Sequence, residues 1–276
     1  MTQSIVESSG VAAAILLAAG VSRRLRPYVE DRPKCLLEMG GVTLFERHVF
    51  NLARLGVPRL IVVTGYRAEQ LNHRYPEGVA VGARRMAVSF AHNAEYEKGS
   101  ILSLRTGLDA LEEARERGEV SAGDVVVMDA DVLYHPHVLE RLVRGRGSLF
   151  LLDETSRETG EEMMLGARAG LVRRVARSVA GESWDEVGET VGFFRVSGAD
   201  QLQLRREIDA VVEAGGERHE YEAAVQRVLD QNPAPYVRVG DLPWTEIDFK
   251  EDVERARDVI LPRVLAAEGD WRKGAV

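Results

Sequence analysis

The stretch at residues 11–35 constrains this chain more than any other. An apolar run of strand length at 11–17 ends at Ala18 and Ala19. Gly20 and Ser22 follow, where the chain must bend without bulk. A basic cluster comes next, Arg23, Arg24, Arg26, Arg32 and Lys34, with only Glu30 and Asp31 against it. Small residues let backbone N–H groups approach a ligand closely. Clustered cations supply the charge that a triphosphate requires. The stretch therefore predicts a buried first strand opening into a nucleotide-phosphate loop. The plainer alternative is a core strand followed by a solvated, Arg-rich loop. The spacing is neither the Walker pattern nor the dinucleotide Gly-x-Gly-x-x-Gly.

Composition sharpens this. The net charge of −8 argues against general nucleic-acid binding, so the basic cluster is a local exception. A single cysteine, Cys35, excludes an intramolecular disulfide framework and a cysteine-based zinc site. A cytoplasmic setting is the simplest inference, and Cys35 reads as a small buried apolar residue rather than a nucleophile. No apolar run approaches the length of a membrane span. Residues 1–10 are polar and expected to be loose.

Further along, Thr43 and Glu46 have capping-box spacing ahead of an apolar helical face at Leu44, Phe45, Val49 and Leu52. Buried strands are predicted at 59–64, 86–91 and 124–128, with helices between them. Such alternation implies a doubly wound, mostly parallel α/β sheet over 11–146, with ligands beyond the carboxyl ends of its strands. From 147 to 265 short strand-like pieces predict a small antiparallel subregion covering the acceptor side of the cleft. Helices are expected near 200–214 and 219–230, and a final helix from Lys250 that Pro262 should kink or end. No linker separates the parts, so 11–265 is expected to be one domain.

The residues Leu17-Ala18-Ala19-Gly20, Arg24-Leu25, Pro27 and Pro33-Lys34 resemble the signature of nucleotidyltransferases that activate sugar phosphates and small phosphorylated alcohols. Ser22 stands where that signature has its second glycine. Asn93, Tyr96 and Ser103, with the segments Glu161-Glu162-Met163-Met164 and Gly188-Glu189, resemble the phosphocholine and 2-aminoethylphosphonate cytidylyltransferase subgroup. Met164 replaces a lysine common there, and Arg177 is a nearby basic position.

The resemblance implies a Rossmann-like nucleotidyltransferase fold and a set of roles. Leu17, Ala18, Ala19, Gly20, Ser22, Arg24, Asn93, Ser100 and Ser103 would bind the nucleotide. Arg24 and Lys34 would hold phosphates during catalysis. Asp131 and Asp248 would hold magnesium. Glu162, Arg177, Glu189 and Trp244 would line the acceptor pocket, with Trp184 and Tyr221 as further aromatics. Plainer readings stand beside these. Asp129 or Asp131 could cap the following helix, Asp248 with Glu251 could cap the last one, and Asn93 and Ser100 could be a turn residue and an N-cap.

The implied activity is transfer of CMP from CTP to a small phosphoalcohol or phosphonate, with release of pyrophosphate. The alternatives are a sugar-1-phosphate uridylyl- or guanylyltransferase, and a non-catalytic nucleotide-binding regulator. The expected partners are CTP and the acceptor, with no nucleic acid and no membrane; a homodimer is left open.

Overall fold

The computed structural model describes residues 10–25, 28–29, 31–76, 78–81 and 84–268. Residues 1–9, Arg26, Pro27 and Glu30, on which part of the sequence reading rests, lie outside them. In chain order come β1 (Val11–Ala18), a small hairpin of β2 (Glu38–Met39) and β3 (Val42–Thr43), and α1 (Leu44–Arg54). Then follow β4 (Arg59–Thr64), α2 (Ala68–Arg74), β5 (Val79–Val81), β6 (Arg84–His92) and α3 (Ser100–Glu116). The chain continues through β7 (Asp124–Asp129), β8 (Val132–Tyr134), α4 (Pro136–Val143), β9 (Leu149–Asp153), β10 (Met164–Arg168) and β11 (Leu171–Ala176). It closes with β12 (Glu186–Val196), α5 (Gln201–Glu213), α6 (Glu222–Gln231), β13 (Ala234–Arg238), β14 (Trp244–Glu246), α7 (Lys250–Arg255) and α8 (Leu261–Glu268).

One sheet runs in the order β10-β11-β13-β9-β12-β7-β1-β4-β6-β5. Its centre, β7-β1-β4-β6, is parallel. β1 is buried on both faces, which is why its sequence is continuously apolar rather than alternating. Ala14, Leu16 and Ala18 face a core shared with α1 and α4. Ala13 and Ile15 face the core shared with α3, α5 and α6. Gly107 on α3 permits this second layer to sit close, because a Cβ there would meet Ile15 at 2.5 Å. The Thr43–Glu46 capping box forms and starts α1.

The antiparallel strands do not make a separate sheet. β12 pairs antiparallel with both β7 and β9 and carries them onto the parallel half. The register shifts between Thr190 and Phe194, around Gly192 at φ +73. A Cβ on Gly192 would lie 2.6 Å from a carboxylate oxygen of Asp129, so only glycine fits. A two-stranded ladder, β14 against β8, brings the C-terminal segment back to the end of β7. Pro262 does not end the last helix. A five-residue π turn, Ala256–Ile260, widens the helix just before it, and α8 continues. Among the described residues no helix is long and apolar enough to cross a membrane.

Arg195, 3% exposed, ties this architecture together away from the site. It donates to Asp124 at 2.8 and 2.9 Å and to the Val143 carbonyl at 2.6 Å. Asp124 also accepts from the backbone of Gly147 and Gly198. Arg195→Ala strands a largely buried carboxylate and should cost about 3–5 kcal/mol of stability. Urea denaturation measures this; an unchanged midpoint would show that the pair is dispensable.

Candidate active site

Three strand ends converge. β1 runs out at Ala18, and the Ala19 carbonyl accepts from Tyr66 N–H at 3.0 Å. β7 runs out at Asp129, and Ala130 N–H donates to the Leu17 carbonyl at 3.3 Å. Ile247 N–H donates to the Asp131 carbonyl at 3.1 Å, which sets Asp248 beside Asp131 although they are far apart in sequence. Lys34, in the short helical turn Lys34–Leu36, points its Nζ between the two carboxylates, at 2.6 Å from Asp131 and 2.5 Å from Asp248. Burial alone would lower the Lys34 pKa, but the two carboxylates more than offset it and the ammonium is held above the ordinary lysine range. Its neighbour Cys35 is buried, and burial pushes the thiol up to about 12, so it is inert as a nucleophile.

Asp131, Glu246 and Asp248 each offer an oxygen within 4.8 Å of the others. Asp131 Oδ2 takes the lysine, whereas its Oδ1 is buried with no hydrogen-bond partner. An all-oxygen set with an unsatisfied buried oxygen fits a hard divalent cation. Glu246 is exposed at the cleft rim. Although the residue as a whole is exposed, the protein crowded around its carboxyl and the Asp131 and Asp248 charges beside it raise that carboxyl above its usual range.

Beside this cluster Leu17, Ala18, Gly20 and Ser22 line a small cavity of about 40 Å³ that also touches Lys34 and Asp131. Ser22 has φ +52, a conformation that glycine adopts more freely. Arg24 does not line this cavity: it is largely exposed, over the Phe249 ring at 5.1 Å and 4.0 Å from Glu161.

Two larger cavities flank the carboxylates, with Glu246 and Asp248 in the wall between them. The first, about 180 Å³, is lined by Ser100, Asp129, Met163, Arg177, Tyr221 and Glu222 among others. Tyr221 donates its hydroxyl to Asp129 at 2.8 Å. Burial, then the charges of Asp131 and Glu222, raise the Asp129 carboxyl well above its usual range, and burial pushes Glu222 up to about 7. Arg177 pairs with Glu220 at 2.5 Å. The second cavity, about 390 Å³, is lined by Asp153, Ser156, Glu162, Glu189, Trp244 and Phe249 among others.

The profile of the MobA-like NTP transferase domain matches residues 14–187. The chain belongs to the MobA-like NTP transferase family. It is 29% identical to the 2-aminoethylphosphonate cytidylyltransferase of Lancefieldella rimae, over 74% of this chain and 75% of that protein. It is 25% identical to the bifunctional IPC transferase and DIPP synthase of Thermococcus kodakarensis, over 93% of this chain and 52% of that protein. The chain thus spans about half the length of that bifunctional relative. It shares its fold with the inositol-1-phosphate CTP transferase from T. maritima, at TM-score 0.68 and 17% identity over 93% of this chain and 97% of that one.

As a MobA-like NTP transferase domain, the chain gathers some of its sequence-predicted residues and scatters others. Leu17, Ala18, Gly20, Ser22, Lys34, Asp131 and Asp248 meet at one place. Ala19 is buried and holds the loop through its carbonyl. Asn93 and Ser103 are spent on each other: Asn93 donates to Ser103 at 3.0 Å and accepts from Glu95 N–H, and both side chains are buried. Ser100 lies inside the helix start, with Gly99 as N-cap, and accepts from Tyr221 N–H. Asp248 is not the cap of α7; Asp252 accepts from the backbone of Asp248 and Phe249 instead, which leaves the Asp248 carboxylate for Lys34.

The acceptor set divides. Arg177 lines the first cavity, whereas Glu162, Glu189 and Trp244 line the second. There Glu162 is tied to Thr159 and Gly160, Trp244 donates to Asp153 at 2.7 Å, and burial pushes Glu189 up to about 7. Met164 is 1% exposed and faces the core; its neighbour Met163 reaches the cavity. Glu246 was read only as part of the segment 244–248 and not as a ligand, although its spacing of two from Asp248 in an extended segment puts both on one side.

Trp184 lines neither cavity. It packs on Gly166, donates to the Val179 carbonyl at 3.0 Å and lies under Arg168. Trp184→Ala should cost about 2–3 kcal/mol, somewhat less than a fully buried aromatic, and leave the acceptor KM unchanged. A raised acceptor KM in a stable variant would return Trp184 to the pocket.

Proposed function

We propose that the chain transfers CMP from CTP to a small phosphoalcohol or phosphonate that carries an ammonium group. The observation that carries this reading is Lys34, set between Asp131 and Asp248 where the nucleotide loop meets an acid-lined cavity. The loop cavity takes the phosphates, with backbone at Ala18 and Gly20, the Lys34 ammonium and, swung in from its exposed position, Arg24. Asp131, Asp248 and Glu246 would hold a divalent cation, magnesium by the family resemblance, which supplies positive charge beside the phosphate oxygens.

An acceptor phosphate is ionised near neutral pH and needs no strong base. Its oxygen attacks the α-phosphorus in line; the new O–P bond forms as the bond to pyrophosphate breaks, and pyrophosphate departs with the electron pair. Lys34 and Arg24 neutralise the charge on the leaving group. Catalysis is otherwise alignment, provided by a loop pinned to β7 and β4.

The first cavity suits the acceptor's other end. Asp129, Glu222 and Glu246 lie around it with Tyr221; desolvation first, and neighbouring carboxylates second, make their carboxyls resist ionisation. A bound ammonium would supply these carboxylates with a counter-charge, beside the Tyr221 hydroxyl that already donates to Asp129. A sugar would be better served by amides and hydroxyls. With Asn93 and Ser103 occupied by each other, the preference for CTP rests on the relatives, among them the 2-aminoethylphosphonate cytidylyltransferase. A CTP-using enzyme with one unpaired cysteine suits the cytoplasm.

Pyrophosphate release from four nucleotides against a panel of phospho-acceptors tests the reading. CTP with an aminated acceptor should be the best pair. Ethyl phosphate or ethylphosphonate should lose at least ~10-fold in kcat/KM, the value of a charge-assisted contact. Faster turnover with UTP or GTP, or preference for a hexose 1-phosphate, would contradict the proposal.

A further inference from the structure

We propose that His48 is a positioning residue for the Asp131 carboxylate, acting through the Ala130 carbonyl and the Tyr134 hydroxyl. His48 lies on α1, fully buried, and belongs to neither the loop nor the cavities. Its Nε2 is 3.3 Å from the Ala130 carbonyl and its Nδ1 is 3.3 Å from the Tyr134 hydroxyl. These two groups bracket the turn that joins β7 to β8, and Asp131 sits inside it.

The partners dictate the tautomer. A carbonyl only accepts, so Nε2 carries the proton and donates it; Nδ1 is then the acceptor for the Tyr134 hydroxyl. Burial pushes the imidazole down to about 4, which keeps it in this neutral form. Packing fixes the ring as well: Tyr134 lies 5.4 Å away and Phe193 meets it edge-on at 6.0 Å.

The turn is gripped from its other sides too. Ala130 N–H is held by the Leu17 carbonyl, and the Asp131 carbonyl by Ile247 N–H. Ala130 is thus held through its N–H by the Leu17 carbonyl at the end of β1 and through its own carbonyl by His48. Groups that hydrogen-bond a metal ligand typically change metal affinity by about 10–100-fold when removed; His48 acts one residue away, through the backbone that carries Asp131. An ordinary core histidine would change stability alone.

The inference rests on Asp131 being a ligand of a divalent cation. The test is Mn2+ binding to the free full-length protein, followed by electron paramagnetic resonance, in wild type, His48→Leu, His48→Gln, Tyr134→Phe and Asp131→Asn. Circular dichroism and thermal melting report folding. Asp131→Asn should lose Mn2+; if it does not, the metal reading itself fails. With that control in place, folded His48→Leu should bind Mn2+ about 10–100-fold more weakly. His48→Gln, whose amide can still donate to Ala130, should stay close to wild type, and Tyr134→Phe should weaken binding in the same direction as His48→Leu. Wild-type Mn2+ affinity in folded His48→Leu overturns the inference, as does equal weakening in His48→Gln. If His48→Leu does not fold, unchanged affinity in Tyr134→Phe overturns it.

Discussion

The site depends on one buried cation held by two carboxylates. Lys34 joins Asp131 and Asp248, which are 97 and 214 positions away along the chain. Its side chain is only 11% exposed, so the attraction is weakly screened and desolvation is offset only while both partners stay in place. The fold supplies them separately. The loop after β1 carries the lysine, the end of β7 carries Asp131, and the β8–β14 ladder returns Asp248. The same two carboxylates are the natural donors for a divalent cation; Asp131 Oδ1 is open beside the lysine-bound Oδ2, so an ammonium and a metal ion there would draw on the same groups and repel each other. In the proposed reaction the nucleotide phosphates resolve that conflict by offering Lys34 anionic partners of its own.

Part of this was legible in the sequence because it rests on local pattern. An apolar strand ending in small residues and cations predicts the loop, and the loop forms from Leu17 to Ser22 beside Lys34. Asp131 was legible as the acid after a buried strand, and the Thr43–Glu46 cap as a spacing. What the sequence left illegible shares a cause: a residue type does not say where its side chain is spent. Asn93 and Ser103 look like base-reading groups, yet in the fold they satisfy each other. Glu162 looks like an acceptor ligand, yet it holds its own loop. Trp184 looks like part of a cationic pocket, yet it covers Gly166 on the sheet. The antiparallel strands were anticipated, but their continuation of the parallel sheet depends on the long-range pairing of β12 with β7.

The acids around the first cavity show how the fold tolerates charge. Asp129 is half-buried at the end of β7 and is held by the Tyr221 hydroxyl, close against Gly192. Glu222 and Glu246 lie near it, and none of the three can ionise as freely as it would in water. Such crowding is unfavourable in the free protein. It would be relieved by positive charge, and the proposed reading supplies that charge twice, as a metal ion on Asp131, Glu246 and Asp248 and as the ammonium of the acceptor.

The central claim is that Lys34 and a divalent cation compete for Asp131 and Asp248. Titration of Mn2+ into nucleotide-free wild type and Lys34→Met, read by electron paramagnetic resonance, tests it most directly. Methionine keeps the length of the side chain and removes the charge. The account predicts that Lys34→Met binds Mn2+ roughly tenfold more tightly or better, the effect of removing a competing charge-assisted hydrogen bond. Equal or weaker binding in a folded Lys34→Met protein would contradict it.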